Sequence, residues 1–160
     1  MRVGLGYDTH AFAEGRALFL GGLSIPYERG LAGHSDGDVL LHAISDAVLG
    51  AAGLPDIGVH FPNTDRSIAG MGSDRILARA VGLARDEGYE IVNVDAVVVC
   101  EAPKIQPYRD EMRVIIARIM GVEAGRINVK GKTTEGLGFA GRREGIESYA
   151  VCLLHEEFRG

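Results

Sequence analysis

Apolar and polar residues alternate from the start of the chain. VGLGYDTHAF (3–12) has the period of two that a half-buried strand requires. ALFLGGLSIP (17–26) reads as a second extended piece that stops at Pro26, and YERGLAGHSDG (27–37), polar and glycine-rich, predicts a loop. The period then changes. In DVLLHAISDAVLGAAG (38–53), Val39, Leu40, Ala43, Ile44, Ala47, Val48 and Ala51 share one helical face. Ser35 and Asp38 give that helix an S-x-x-D start, and Gly53 a stop. LPDIGVHFPNTDRSIAGMG (54–72) has no period and predicts a long loop of the kind that usually serves function. SDRILARAVGLARDEGYE (73–90) predicts a second amphipathic helix with Ser73 as N-cap, and IVNVDAVVVCEA (91–102) a buried strand. A third helix follows in KIQPYRDEMRVIIARIMG (104–121), entered at Pro107. RINVKGKTTEGLGFAGRREG (126–145) runs from a short strand into another glycine-rich loop, and IESYAVCLLHEE (146–157) is a closing strand.

Strands gather at both ends and helices between them. The order predicts an α/β (α+β) two-layer sandwich, with helices on one face of a mixed sheet. Three helices leave the other sheet face without cover, so a partner subunit is expected there. A chain of 160 residues is expected to form a single domain, 1–160. The net charge of −5, with no basic stripe, argues against nucleic acid as a partner. It does not argue against a polyanionic small molecule met by locally gathered cations. Cys100 and Cys152 lie in the apolar runs AVVVC and YAVCLL and read as buried hydrophobes, not as a disulfide framework. The first residues form no apolar leader, and no stretch of 18 apolar residues occurs, so no membrane association and an intracellular, reduced setting are expected. Glycine is abundant, 23 residues, and clusters between the periodic segments, as loops that approach something closely would require.

Asp8 and His10 sit two apart on a strand and therefore share a face. His42 lies on the first helix, with Asp38 and Asp46 one turn away on either side. If that helix packs over the strand, two imidazoles and a carboxylate describe a catalytic zinc or similar divalent site with an open fourth position. Asp38 or Asp46 would then accept the spare ring N–H of His42. Spacing alone suits a structural strand–helix hydrogen bond somewhat better than a metal site. GHSDGD (33–38) feeds a helix N-terminus, where His34 and Ser35 would donate to a phosphate, or where a capping box simply starts the helix. KGKTTEGLGFAGR (130–142) sets Lys130, Lys132, Thr133, Thr134 and Arg142 among glycines, as phosphate-binding loops do, although a solvated hairpin has the same composition. Glu135 among those cations would suit a harder ion such as Mg²⁺. EAPKIQPY (101–108) is a strand end in a proline-bounded turn, and HFPNTD (60–65) a lid or a plain surface loop. The residues by themselves describe a divalent-metal enzyme acting on a phosphorylated small molecule.

GYDTHAF, GHSDGDVLLHAISDAVLGAAGLPDIGVHFPNTD, NVDAVVVCEAPKI and VKGKTTEGLGFAGRREGI follow one another over nearly the full length. In this order and spacing the chain resembles the 2-C-methyl-D-erythritol 2,4-cyclodiphosphate synthases of the non-mevalonate isoprenoid pathway. The resemblance implies a cytoplasmic homotrimer with active sites between subunits (or a plastid protein, had a transit peptide been removed). It implies conversion of 4-diphosphocytidyl-2-C-methyl-D-erythritol 2-phosphate to the cyclic diphosphate with release of CMP. By position, Asp8, His10 and His42 correspond to the Zn²⁺ ligands, and Glu135 to a ligand of a second ion, Mg²⁺ or Mn²⁺. His34 and Thr133 correspond to groups that stabilise the transition state. Ser35, Asp56, Gly58, Phe61 and Asp65, with the 61–65 loop, correspond to the methylerythritol and phosphate contacts, to which Asp8 and His10 also belong. Cys100, Ala102, Pro103, Lys104 and Ile105, with Lys132, Thr133, Thr134 and Glu135, correspond to a cytidine diphosphate pocket supplied by the neighbouring subunit. Phe139 and Arg142 correspond to residues near the trimer axis, where an isoprenoid diphosphate can bind. Tyr7 and Thr9 depart from the common family residues, and are expected to point away from Asp8 and His10. The competing readings are a metal-dependent phosphohydrolase and a non-catalytic isoprenoid-diphosphate scaffold.

Overall fold

A computed structural model describes residues 1–62, 64–65 and 70–156. The strands are β1 (Arg2–Ala13), β2 (Leu18–Leu20), β3 (Leu23–Ile25), β4 (Gly30–Leu31), β5 (Tyr89–Val99), β6 (Ile127–Lys132) and β7 (Gly145–Glu156). The helices are α1 (Val39–Ala52), α2 (Ile57–His60), α3 (Ser73–Asp86), α4 (Arg109–Met120) and α5 (Gly138–Gly141). The main sheet has the order β4-β1-β7-β5-β6. Only β5 and β6 pair in parallel, so the sheet is mixed, as the sequence predicts.

Helix α1 packs on β1 and β7 and against α3, which in turn meets α4. It is apolar nearly all round, and twelve of its residues are buried, so it is a central helix and not the one-faced helix that periodicity predicts. Asp38, not Ser35, caps it: its carboxylate accepts the Leu41 N–H at 3.0 Å. The same wholly buried carboxylate accepts from Gly21 and Gly22, which turn the β2–β3 hairpin. Both glycines have positive φ (62° and 77°), so the single extended piece expected over 17–26 is instead a tight hairpin. Gly53 ends α1 in the left-handed conformation, as expected.

Two further expectations change. The 54–72 segment contains α2, one turn capped by Asp56 through the Val59 N–H at 3.1 Å. Ser73 is the first residue inside α3, and Gly72 holds the N-cap position. The Ser73 hydroxyl is engaged elsewhere, as described below.

The sheet face away from α1 is apolar and open. Val3, Leu5, Tyr7, Tyr149 and Val151 are all more than 40% exposed there. Tyr7 pairs with Tyr149 across β1 and β7, with ring centroids 4.9 Å apart, and both hydroxyls donate to Glu147. Thr9 shares their strand parity, so Tyr7 and Thr9 do point away from Asp8 and His10. Among the described residues, no helix is long and apolar enough to cross a membrane.

Candidate metal centre

Gly4 and Gly6 face α1, two and one alternations before Asp8. A Cβ on Gly6 would lie 1.8 Å from the Ala43 carbonyl oxygen, and one on Gly4 2.0 Å from that of Ala47. The helix backbone therefore rests directly on β1. The next residues of that strand face, Asp8 and His10, carry side chains that meet His42 at the start of α1. Asp8 Oδ2 lies 2.9 Å from His10 Nε2 and 3.0 Å from His42 Nδ1, and the two nitrogens are 3.2 Å apart.

With both imidazoles neutral, these three atoms are all lone-pair acceptors. His10 Nδ1 is 2.5 Å from the Ala32 carbonyl, which only accepts, so Nδ1 carries the hydrogen and Nε2 presents its lone pair. His42 Nε2 faces the hydroxyls of Ser73 at 2.9 Å and Ser35 at 3.3 Å, which leaves Nδ1 as the lone-pair nitrogen. A tetrahedral ion bonded at about 2.0–2.1 Å keeps its ligand atoms about 3.3 Å apart, close to the separations found here. Among the described residues this is the group of His, Cys, Asp and Glu side chains that could hold a metal ion. A divalent cation thus fits the donor set, and would take the place of a proton that otherwise links Asp8 to the imidazoles.

Burial works against ionisation of Asp8, but the hydrogen bonds and charge of the two imidazoles prevail and hold its carboxyl far below the usual range. Burial likewise disfavours protonated His10, and Asp8 reverses this, so His10 holds its proton to higher pH than a free imidazole. A metal ion bound there displaces that proton. Neither Asp38 nor Asp46 accepts from His42, contrary to expectation. Asp38 is spent on backbone N–H groups, and Asp46 accepts the Ile57 N–H at 2.8 Å, tying α2 to α1.

The acceptor triangle opens into a cavity of about 320 Å³. His34, Ser35, Gly58, Phe61 and Asp65 line it together with Asp8, His10 and His42, whereas Asp56 caps α2 and does not line it. Of the expected 61–65 loop, Asn63 lies outside the described residues. Ile57, Met71 and Ile76 add apolar wall that no motif signals. Arg16, also unflagged, donates to the carbonyls of Gly33 (2.9 Å) and Ser35 (2.6 Å) and so shapes the loop that carries His34.

The remaining candidates form a separate cluster at the end of β5 and β6. Cys100 N donates to the Lys132 carbonyl at 2.9 Å, and Ile105 packs so closely on Gly131 that a Cβ there would lie 2.7 Å from the Ile105 Cβ. The Cys100 thiol is pushed up to about 12 by burial and is unreactive. Glu101, to which no sequence motif assigns a role, accepts from Thr134 N (3.0 Å), Thr134 Oγ1 (3.3 Å) and Gly136 N (3.3 Å). It thereby folds the turn that presents Thr133 and Glu135, whose side chains meet at 2.9 Å. The Gly136 N–H leads the contacts that lower its pKa. Ala102, Pro103 and Lys104 complete the bend between β5 and α4, with a cis bond before Pro103. Arg142 pairs with Glu144 at 2.7 Å beside Phe139 on α5. In one chain β7 and β5 stand between β1 and β6, so this cluster and the acceptor triangle do not meet.

A mixed sheet with helices on one face, carrying a two-imidazole, one-carboxylate cluster at the head of a cavity, defines an α/β protein with a candidate metal centre. The chain belongs to the YgbB family, whose model matches residues 1–155. It is 58% identical over 154 residues to the 2-C-methyl-D-erythritol 2,4-cyclodiphosphate synthase of Geotalea daltonii, covering 96% of this chain and 90% of that protein. Among solved structures, it is similar to the bifunctional IspDF of Campylobacter jejuni (TM-score 0.93, 42% identity), covering 97% of this chain and 42% of that longer one. It is also similar to Plasmodium falciparum IspF in a CDP complex (TM-score 0.85, 37% identity), covering 98% and 96% of the two chains.

Proposed function

We propose that the chain is a phosphorus–oxygen lyase that converts 4-diphosphocytidyl-2-C-methyl-D-erythritol 2-phosphate to 2-C-methyl-D-erythritol 2,4-cyclodiphosphate and CMP. The observation that carries this reading is the convergence of Asp8, His10 and His42 as acceptors at the head of a cavity. The names of the family relatives, one of them a CDP complex, supply the substrate class. An oxygen of the 2-phosphate bonds to the β-phosphorus, the bond from that phosphorus to the CMP oxygen breaks, and no water is consumed.

Zn²⁺ suits the two-nitrogen, one-oxygen donor set, and when bound it supplies Lewis-acid stabilisation of phosphoryl charge. His34 and Ser35 donate to phosphate oxygens from the loop that Arg16 shapes. Gly58, Phe61 and Asp65 bound the methylerythritol, and Asp56 acts through the cap that fixes α2 and Gly58. Lys132, Thr133 and Thr134 hold the diphosphate, Thr133 aligning the group under attack. Glu135 serves a second ion, Mg²⁺ or Mn²⁺, and the bend of Cys100, Ala102, Pro103, Lys104 and Ile105 takes the cytosine. The protein contributes mainly position, because nucleophile and electrophile belong to one molecule that must be folded into a ring.

The test is incubation with this substrate and Mg²⁺ in ¹⁸O-labelled water. CMP and a cyclic diphosphate without label are expected. A ring-opened product carrying ¹⁸O would replace this reading with a phosphohydrolase, and absence of CMP would leave a binding scaffold.

The separation of the two residue clusters within one chain favours a shared site, with the cytidine-binding cluster donated by a neighbour. The open apolar face of β1 and β7 then packs in a homotrimer of single-domain, cytoplasmic chains, with Phe139 and Arg142 close to the axis where an isoprenoid diphosphate would bind. Leu5, 68% exposed on that face, is the direct probe. In sedimentation, Leu5→Asp is expected to convert a particle of three chain masses to single chains, and an unchanged trimer would remove this face from the interface.

A further inference from the structure

Two serine hydroxyls reach the outer nitrogen of His42, and their surroundings divide them. Ser73 Oγ lies 2.9 Å from Nε2, and Ser35 Oγ lies 3.3 Å from it. Ser73 is wholly buried. It donates its hydroxyl hydrogen to Asp36 Oδ1, and its backbone N–H reaches the other Asp36 oxygen at 3.2 Å. Asp36 is itself fixed by the Asp38 N–H at 3.2 Å. A carboxylate only accepts, so the Ser73 hydrogen is committed to Asp36 and its lone pairs face His42. Ser35 is held less closely. Its Oγ accepts the Gly37 N–H at 3.3 Å and stands 3.3 Å from Ser73 Oγ, while the residue also lines the cavity.

We propose that Ser73, anchored by Asp36, is the positioning residue of the metal centre, and that Ser35 is left free to serve the bound substrate. The carboxylate–hydroxyl–imidazole chain fixes the His42 tautomer with Nδ1 toward the ion. It also passes part of the Asp36 charge to the ring and makes Nδ1 a stronger donor, as carboxylates in direct contact with ligating histidines do. Burial keeps water from replacing the hydroxyl, so the chain acts at low local dielectric. The arrangement explains why neither aspartate on the His42 helix is used: the acceptor comes from α3.

This inference rests on the metal reading, and the experiment separates the two. Zinc affinity is measured on metal-stripped protein by competition with a chelator of known strength, and the visible spectrum is recorded after loading with Co²⁺. Ser73→Ala is expected to weaken zinc binding by about 10–100-fold and to alter the Co²⁺ bands. Asp36→Asn, of equal size but without the charge, should weaken it in the same direction, and Ser35→Ala should stay within about threefold of the unaltered chain. Zinc affinity and Co²⁺ bands unchanged in Ser73→Ala would overturn the proposal, as would an equal loss in Ser35→Ala. Should Ser73→Ala not fold, undiminished affinity in Asp36→Asn overturns it alone. Failure of the unaltered chain to bind zinc would instead remove the metal reading beneath it.

Discussion

If the proposed trimer forms, co-expressing equal amounts of an Asp8→Asn chain and a Thr133→Ala chain is expected to restore about one quarter of the unaltered rate, although either chain alone is expected to be nearly inactive. Asp8 stands on β1 and Thr133 follows β6, with β7 and β5 between them. If each site takes its acceptor triangle from one subunit and its Thr133 turn from the next, a mixed trimer rebuilds intact sites. Every adjacent pair needs an unaltered Asp8 on one side and an unaltered Thr133 on the other. In a random ring these coincide at about one site in four. A site built within one chain can never be rebuilt this way. The measurement is the steady-state rate per chain of the co-purified mixture, set against the same chains expressed separately and mixed without reassembly. A mixture no faster than the separate chains removes the shared site.

Gly6→Ala is expected to lose most zinc affinity and at least about 1–3 kcal/mol of stability, though it adds one methyl group and touches no ligand. That methyl would lie 1.8 Å from the Ala43 carbonyl oxygen and 2.7 Å from the Ala47 nitrogen. Both are helix backbone, which cannot turn aside as a side chain can, so α1 must lift from β1. His42 sits next to Ala43 and moves with it, away from ligand atoms now within 3.2 Å. Urea unfolding and chelator competition check both effects. Retention of both midpoint and zinc affinity would show that the strand–helix spacing does not set the site. The contrast is residue 5 on the opposite strand face, where added bulk meets no helix.

The strand alternation and the D-x-H pair were plain in the sequence, because a period of two places Asp8 and His10 on one face whatever surrounds them. His42 was legible as a candidate, but its contact with the pair depends on Gly4 and Gly6, and a glycine in a strand does not announce what approaches it. Local rules misread Ser35 and Ser73 as caps. Asp38 and Gly72 hold those positions, and the hydroxyls follow tertiary partners that lie far away in sequence. Asp38 and Asp46 were drawn toward His42 by helical spacing, yet the ring nitrogen points to α3. Helix α2 and the β2–β3 hairpin escaped because each is too short to show a period. Resemblance named most of the cavity wall, but Glu101 and Arg16 act on backbone groups, which side-chain motifs do not encode.

Arg16 has a further consequence. Its guanidinium donates to two carbonyl oxygens, which carry no formal charge, so these contacts orient the cation without neutralising it. A full positive charge is thereby mounted beneath the His34–Ser35 loop of a chain whose net charge is −5. A polyanion of the proposed kind would meet this charge beside the loop that carries His34 and Ser35. Such steering acts on capture, not on the bond that changes, and over roughly the 10 Å Debye length of a 0.1 M salt solution.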